Sequence, residues 1–141
     1  HKVKKISSYL NKINTLILNK EESLHLTGKL SIKESLKDLI KSNNKLNIII
    51  TNGKNSVHGY KDKKIYKCKV PKIKVSNENG AGDALSAYFN YFYCNSFNMK
   101  DSLTMSVVAG SLQASGYRNN KKKYLQKITR LSKGIKVKIS N

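Results

Sequence analysis

The run Leu46-Asn47-Ile48-Ile49-Ile50-Thr51 restricts the architecture more than any other stretch of the chain. Three consecutive isoleucines leave no wet face for a strand, and β-branched side chains favour an extended backbone. Such a strand must be covered on both sides. The rest of the sequence offers the cover, because strand-like and helix-forming runs alternate along it. Helices are expected at residues 2–13, 31–42, 81–97 and 102–115, with a helical turn at 21–26 and an amphipathic helix in the tail after Tyr117. Strands are expected at 15–18, 46–51, 57–60, 65–70, 73–75 and 135–139. Ser31 and Glu34 have the spacing of a capping box. Pro71, the single proline, marks a turn or a sheet edge. The alternation predicts an α/β class, a three-layer α/β/α arrangement with helices packed on a mainly parallel sheet. Ligands in such folds gather beyond the carboxyl ends of strands. Asn19, Thr51 and Gly80 each follow a predicted strand, so one sheet edge is expected to collect them.

The chemistry concentrates in Asn79-Gly80-Ala81-Gly82-Asp83-Ala84-Leu85. Backbone N–H groups at a helix start attract negative charge, and glycine lets the chain approach a ligand closely. The N–H groups of Gly80, Ala81 and Gly82 are therefore a candidate anion hole. Asp83 follows within the first turn, where its carboxylate can accept a proton from an attacking hydroxyl. An anion pocket beside a base fits phosphoryl transfer to an alcohol. The same residues also fit a plain helix N-terminus, with Asp83 opposing the helix dipole.

Gly-Ala-Gly-Asp before a small residue resembles the second signature of the PfkB/ribokinase family of sugar and nucleoside kinases. Two further segments resemble that family in the same order. Asn19-Lys20-Glu21-Glu22 is similar to its Asn-x-x-Glu motif, which implies Asn19 and Glu22 as residues that hold magnesium and its waters. Alone, this segment also fits a helix start with Asn19 as N-cap. The strand ending in Thr51-Asn52-Gly53 is similar to the family's Thr-x-Gly, which implies Thr51 and Gly53 as ATP contacts; an ordinary hairpin turn fits it equally. The helix at 102–115 corresponds to one bordering the adenine, which implies Ala109 and Ser111 as nucleotide neighbours, with close packing as the alternative reading. The resemblance covers roughly residues 14 to 118.

The flanks depart from the family pattern. Asn77 stands where ribokinase-like members carry an aspartate that helps hold a monovalent cation, which leaves that cation doubtful. Asn before this core is nearer to pseudouridine kinases, a lean toward a pseudouridine or related nucleoside acceptor. A chain of 141 residues that begins with His1 is shorter than a complete kinase of this kind. Residues 1–141 are expected to be the C-terminal, nucleotide-binding part of a ribokinase-like domain whose N-terminal half supplies the lid and most acceptor contacts. The expectation is an ATP- and Mg2+-dependent phosphotransferase acting on a sugar or nucleoside. A non-catalytic kinase-like module and a basic RNA-associated domain are the rival classes, and a homodimer stays open.

Lys plus Arg number 28 against 8 acidic residues, a formal charge of +20. Lysines are spread through nearly every segment, and Arg118 and Arg130 are the only arginines, although arginine reads bases and phosphates better. A specific nucleic-acid partner is not expected; salt-sensitive adhesion is. Cys68 and Cys94 are too few and too far apart for a zinc site or a disulfide framework, and both are expected to be buried. His1, His25 and His58 show no ligand spacing. The aromatic stripe Tyr88, Phe89 and Phe92, with Leu85, reads as core packing. With no membrane-length apolar stretch and no signal-peptide pattern, a cytoplasmic setting is expected.

Overall fold

A computed structural model describes residues 2–141; His1 lies outside the described residues. The contacts divide the chain into two compact units, one of residues up to 67 with 139–141, the other of residues 68–138. The five strands form one sheet in the order β1-β2-β3-β4-β5.

The first unit is built on β1 (Thr15–Asn19), β2 (Asn47–Asn52), β3 (Ser56–Lys61) and β4 (Lys64–Lys69), with α1 (Lys2–Leu10), α2 (Lys20–Thr27) and α3 (Ile32–Ser42). Ile48, Ile49 and Ile50 are fully buried, as an uninterrupted apolar strand requires. β1 and β2 are parallel, with Leu16 opposite Ile48 and Asn19 opposite Thr51. β2 and β3 are antiparallel, with Asn52 opposite Ser56. The sheet is therefore mixed, a correction to the mainly parallel sheet expected. The physical reason is the short connection: the three residues after Asn52 allow a hairpin, whereas a parallel return needs a long crossover.

The core of this unit joins Val3 and Leu10 of α1 and Leu36 and Leu39 of α3 to Ile48, Ile50 and Tyr60 of the sheet. Burial of each such aliphatic side chain contributes about 1.5–3 kcal/mol. Ser31 caps α3 by accepting from the Glu34 N–H at 3.2 Å, and its hydroxyl donates to the Glu34 carboxylate at 2.9 Å. The Ser31–Glu34 pairing expected from sequence is thus made, with the return bond going to the hydroxyl.

The second unit carries α4 (Ala81–Cys94), α5 (Met99–Ala114) and α6 (Lys121–Ser132), and begins the last strand β5 (Val137–Ser140). α5 is the central helix of this unit; most of its residues are buried. Phe92 of α4, Val108 and Leu112 of α5 and Ile128 of α6 share its core. The aromatic stripe is core packing: Leu85, Phe89 and Phe92 are buried, and Tyr88 stacks on Tyr124 at 5.8 Å between ring centres. Residues 73–75 do not form the strand expected there. After Pro71 the backbone turns locally, Ile73 N–H donating to the Pro71 carbonyl at 3.0 Å, and Ser76 and Asn77 then bond to the end of α5. α4 also stops short of the expected residue 97, because Asn98 caps α5 by accepting from the Asp101 N–H at 2.8 Å. Cys68 is buried, whereas Cys94, at the end of α4, is exposed, against the expectation that both pack inside. Burial pushes the Cys68 thiol up to about 12, Lys100 opposing it slightly, so it stays protonated and unreactive at neutral pH.

Two local features have measurable consequences. The turn between β3 and β4 places two residues, Asp62 and Lys63, at positive φ of 48° and 67°. Paired positive φ is the pattern of a type I′ hairpin, which favours glycine at the second position. Lys63→Gly should raise stability by about 0.5 kcal/mol, the relief of the left-handed backbone less the freedom glycine adds to the unfolded chain; an unchanged or lower urea midpoint contradicts this. His58 lies 3.1 Å from the Ser56 hydroxyl, and burial, with Lys67 as the smaller cause, holds its imidazole below the ordinary range. The unfolded chain then takes up this proton at higher pH than the folded one, so stability falls as pH drops through the unfolded value of about 6.5. His58→Gln should flatten the stability profile between about pH 7 and pH 5, as read by urea titrations across that range.

Candidate functional site

In the first unit, two of the expected positions meet at one sheet edge. Asn19 ends β1, Thr51 is the penultimate residue of β2, and the two are register partners across the parallel pair. Asn19 also begins α2, and a reciprocal capping box forms there. Its side-chain carbonyl accepts from the Glu22 N–H at 2.8 Å, and the Glu22 carboxylate accepts from the Asn19 N–H at 2.8 Å. The helix-start reading of this segment is therefore realised. One carboxylate oxygen of Glu22, Oε2, makes that bond, while Oε1 has no protein partner among the described residues. The side chain is exposed and its direction is fixed by the cap.

Thr51 and Gly53 belong to the β2–β3 hairpin. The Asn55 N–H donates to the Asn52 carbonyl at 3.0 Å, and Gly53 takes a positive φ of 52° at the first turn position. Glycine adopts that conformation without steric cost. Thr51 is half-buried and Gly53 exposed, so the loop faces solvent.

In the second unit, the loop entering α4 is fastened to the far end of α5. Ser76 and Asn77 both donate their N–H groups to the Ala114 carbonyl, at 2.8 and 3.0 Å, and the Ser76 hydroxyl donates to the Ser115 carbonyl at 3.1 Å. The Asn77 side chain then accepts from the Asn79 N–H at 2.9 Å, a local turn that directs the chain into Gly80. Gly80 has φ of 79°, accessible to glycine, and serves as the helix N-cap with no side-chain bond. The Ala81 N–H is occupied by the Glu78 carbonyl at 3.2 Å, and Ala84 begins the regular helical bonding to Gly80. The N–H groups of Gly82 and Asp83 have no backbone acceptor among the described residues. Of the three amides expected to form the anion hole, Ala81 is thus internally bonded, while Gly80 and Gly82 have no acceptor among the described residues and are joined by Asp83. The Asp83 carboxylate is exposed in the first turn, with no hydrogen-bond or ionic partner among the described residues.

α5 makes this arrangement close. A methyl group on Gly110 would stand 2.9 Å from the Ala81 carbonyl oxygen and 3.4 Å from Leu85 Cβ. A methyl group on Gly80 would stand 3.3 Å from the Gln113 amide nitrogen. Ala109 is fully buried in the helical core, and its carbonyl lies 3.5 Å from the Tyr124 hydroxyl. Ser111 is half-buried and donates its hydroxyl to the Val107 carbonyl at 3.0 Å. Sequence reasoning missed Gly110, Gln113 and the bracing carbonyl of Ala114. Gly110 left a signal, since a glycine within a helical pattern commonly marks close packing. A shallow depression of about 490 Å³ on α6, lined by Lys122, Leu125, Gln126, Thr129, Arg130 and Lys133, contains none of the candidate residues.

Among the described residues no group of three or more His, Cys, Asp or Glu side chains could hold a metal ion, and no helix is long and apolar enough to cross a membrane. A magnesium ion that keeps most of its waters needs only one or two carboxylates, which the outward Glu22 oxygen can meet. Two unpaired amides at a helix start likewise suit a phosphate.

The sequence pattern of the pfkB family of carbohydrate kinases matches residues 1–121. The chain belongs to the pfkB family of carbohydrate kinases. Solved structures agree in fold. Phosphofructokinase-2 from Escherichia coli, in complex with substrates and products, superposes with a TM-score of 0.77 at 17% identity, over 92% of this chain and 45% of that one. A protein from Clostridium perfringens provisionally assigned as a sugar kinase gives 0.74 at 18% identity, over 96% and 44%. An E. coli protein provisionally assigned as ribokinase II, in complex with ATP and Mg2+, gives 0.75 at 13% identity, over 93% and 42%. No curated protein matches the chain. This pfkB chain spans less than half the length of the solved structures it resembles.

The closeness of α5 to the pfkB motif can be tested directly. Gly110→Ala should destabilise the protein by about 1–3 kcal/mol, because the obstructing atom is backbone and cannot rotate away. Thermal unfolding measures this; an unchanged midpoint would mean that α5 and the start of α4 are not held at the distance described.

Proposed function

We propose that this chain is the C-terminal, nucleotide-binding part of an ATP-dependent kinase that phosphorylates a hydroxyl of a sugar or nucleoside. Residues 1–141 would work with an N-terminal half that carries the lid and most acceptor contacts. The observation that supports this reading best is the first turn of α4, where unpaired Gly82 and Asp83 amides stand beside an unpartnered, exposed Asp83 carboxylate.

In this mechanism Asp83 takes the proton from the acceptor hydroxyl. The freed oxygen attacks the terminal phosphorus of ATP, the bond from that phosphorus to the bridging oxygen breaks, and ADP leaves with the bridging oxygen. The free amides at the start of α4 stabilise charge that develops on the transferring group, the contribution that usually dominates such reactions. The positive φ at Gly80 opens this turn without a side chain in the way. Thr51 and Gly53, on their hairpin, are assigned to nucleotide contact, and Ala109 and Ser111 to the helix that backs it. Asn19 and Glu22 would hold hydrated magnesium, which supplies positive charge for the phosphate oxygens when bound.

The acceptor is the finer part of the proposal. Asn77 offers no charge to a monovalent cation, and its side-chain oxygen is already used by the Asn79 N–H. This weakens the case for a potassium requirement, and a nucleoside such as pseudouridine is favoured among acceptors. Turnover of a sugar and nucleoside panel, with and without potassium, separates these alternatives.

Asp83→Asn, made in the protein joined to its full kinase domain, should lower kcat by at least about 10²-fold while changing nucleotide affinity little, since the amides remain. Coupled ADP release and calorimetric ATP titration read the two quantities. Near wild-type turnover in this variant would remove Asp83 from the base role and with it the kinase mechanism.

A further inference from the structure

We infer that Gln113 is a side-chain member of the same phosphate pocket, donating its amide hydrogens to the transferring group beside the α4 backbone amides. The inference rests on the kinase reading above and adds a residue from a different helix to it. Gln113 is near the C-terminal end of α5, and its carboxamide lies over Gly80: the nitrogen is 3.3 Å, and Cγ and Cδ are 3.8 and 3.9 Å, from where a Gly80 Cβ would be. That position adjoins the turn whose Gly82 and Asp83 amides lack acceptors.

The amide nitrogen carries two donors, and among the described residues neither they nor the side-chain oxygen has a protein partner. The neighbouring groups account for their own bonds. Ser111 and Ser115 return their hydroxyls to α5 carbonyls, and the Ala114 carbonyl receives Ser76 and Asn77. Gln113 is thus the polar side chain of the α5 terminus left uncommitted, and it is the one set against the glycine that opens α4. A half-buried amide set against Gly80, two residues before the unpaired Gly82 N–H, adds donors of the same kind to that turn, and an acceptor-rich anion is the ligand that takes such donors. The bracing of the Ser76–Asn77 backbone on Ala114 fixes this geometry, since the residue next to Gln113 holds the loop that leads to Gly80.

Two substitutions in the full kinase domain separate donation from packing. Gln113→Met keeps the volume and removes the donors; kcat should fall about 10²-fold, the usual loss of one such donor, with acceptor KM little changed. Gln113→Glu keeps the shape but sets a negative charge against the phosphate, and should lose more kcat than Gln113→Met and weaken ATP binding at least tenfold. Wild-type kcat in Gln113→Met, or wild-type ATP affinity in Gln113→Glu, overturns the inference and leaves only a packing role. Asp83→Asn measured alongside distinguishes the two levels. If it is inactive while both Gln113 variants behave as wild type, the kinase reading stands and Gln113 falls out of it. If it retains turnover, the pocket itself is misassigned and the Gln113 role goes with it.

Discussion

The missing side chain at Gly110 governs the second unit. With only hydrogen there, α5 comes close enough to the Ala81 carbonyl that a single methyl would collide. One turn further on, the same helix reaches the entry loop, where one carbonyl, that of Ala114, receives both Ser76 and Asn77. Gly80 turns through a left-handed conformation, and the amides of Gly82 and Asp83 are left without a protein acceptor among the described residues. A helix with most of its residues buried is what positions an exposed turn.

The first unit reaches a comparable end by other means. Parallel pairing of β1 and β2 brings Asn19 and Thr51 side by side, because β1 ends opposite the penultimate residue of β2. The carboxyl ends of parallel strands are where α/β folds gather ligands. The hairpin that follows breaks the parallel pattern, yet it keeps Thr51 and Gly53 at that rim, since a tight turn cannot carry the chain away.

Much of this was legible in the residues. The isoleucine run announced a doubly covered strand, Ser31 and Glu34 announced a helix start, and the apolar spacing after Asp83 announced α4 with its buried face. What escaped depended on partners distant in sequence. Ile73 and Val75 alternate with lysine as a strand would, but Ser76 and Asn77 find their acceptor on α5, some forty residues on, and the segment stays irregular. Cys94 lies in an aromatic, apolar neighbourhood of sequence, yet it falls on the last turn of α4, where the helix ends in water. Sheet direction was likewise hidden, because loop length after Asn52, not strand composition, decides between parallel and antiparallel return. The close contact of Gln113 with Gly80 had no local pattern to reveal it.

The capping box at the head of α2 ties electrostatics to local order. Glu22 points outward in one direction only while its other oxygen is held by the Asn19 amide, and that bond exists only while the first turn is wound. Fraying of eight residues would therefore scatter the negative charge as well as loosen the backbone. A cation bound to that carboxylate would act in return as a clasp, keeping the short helix coiled for as long as it stays.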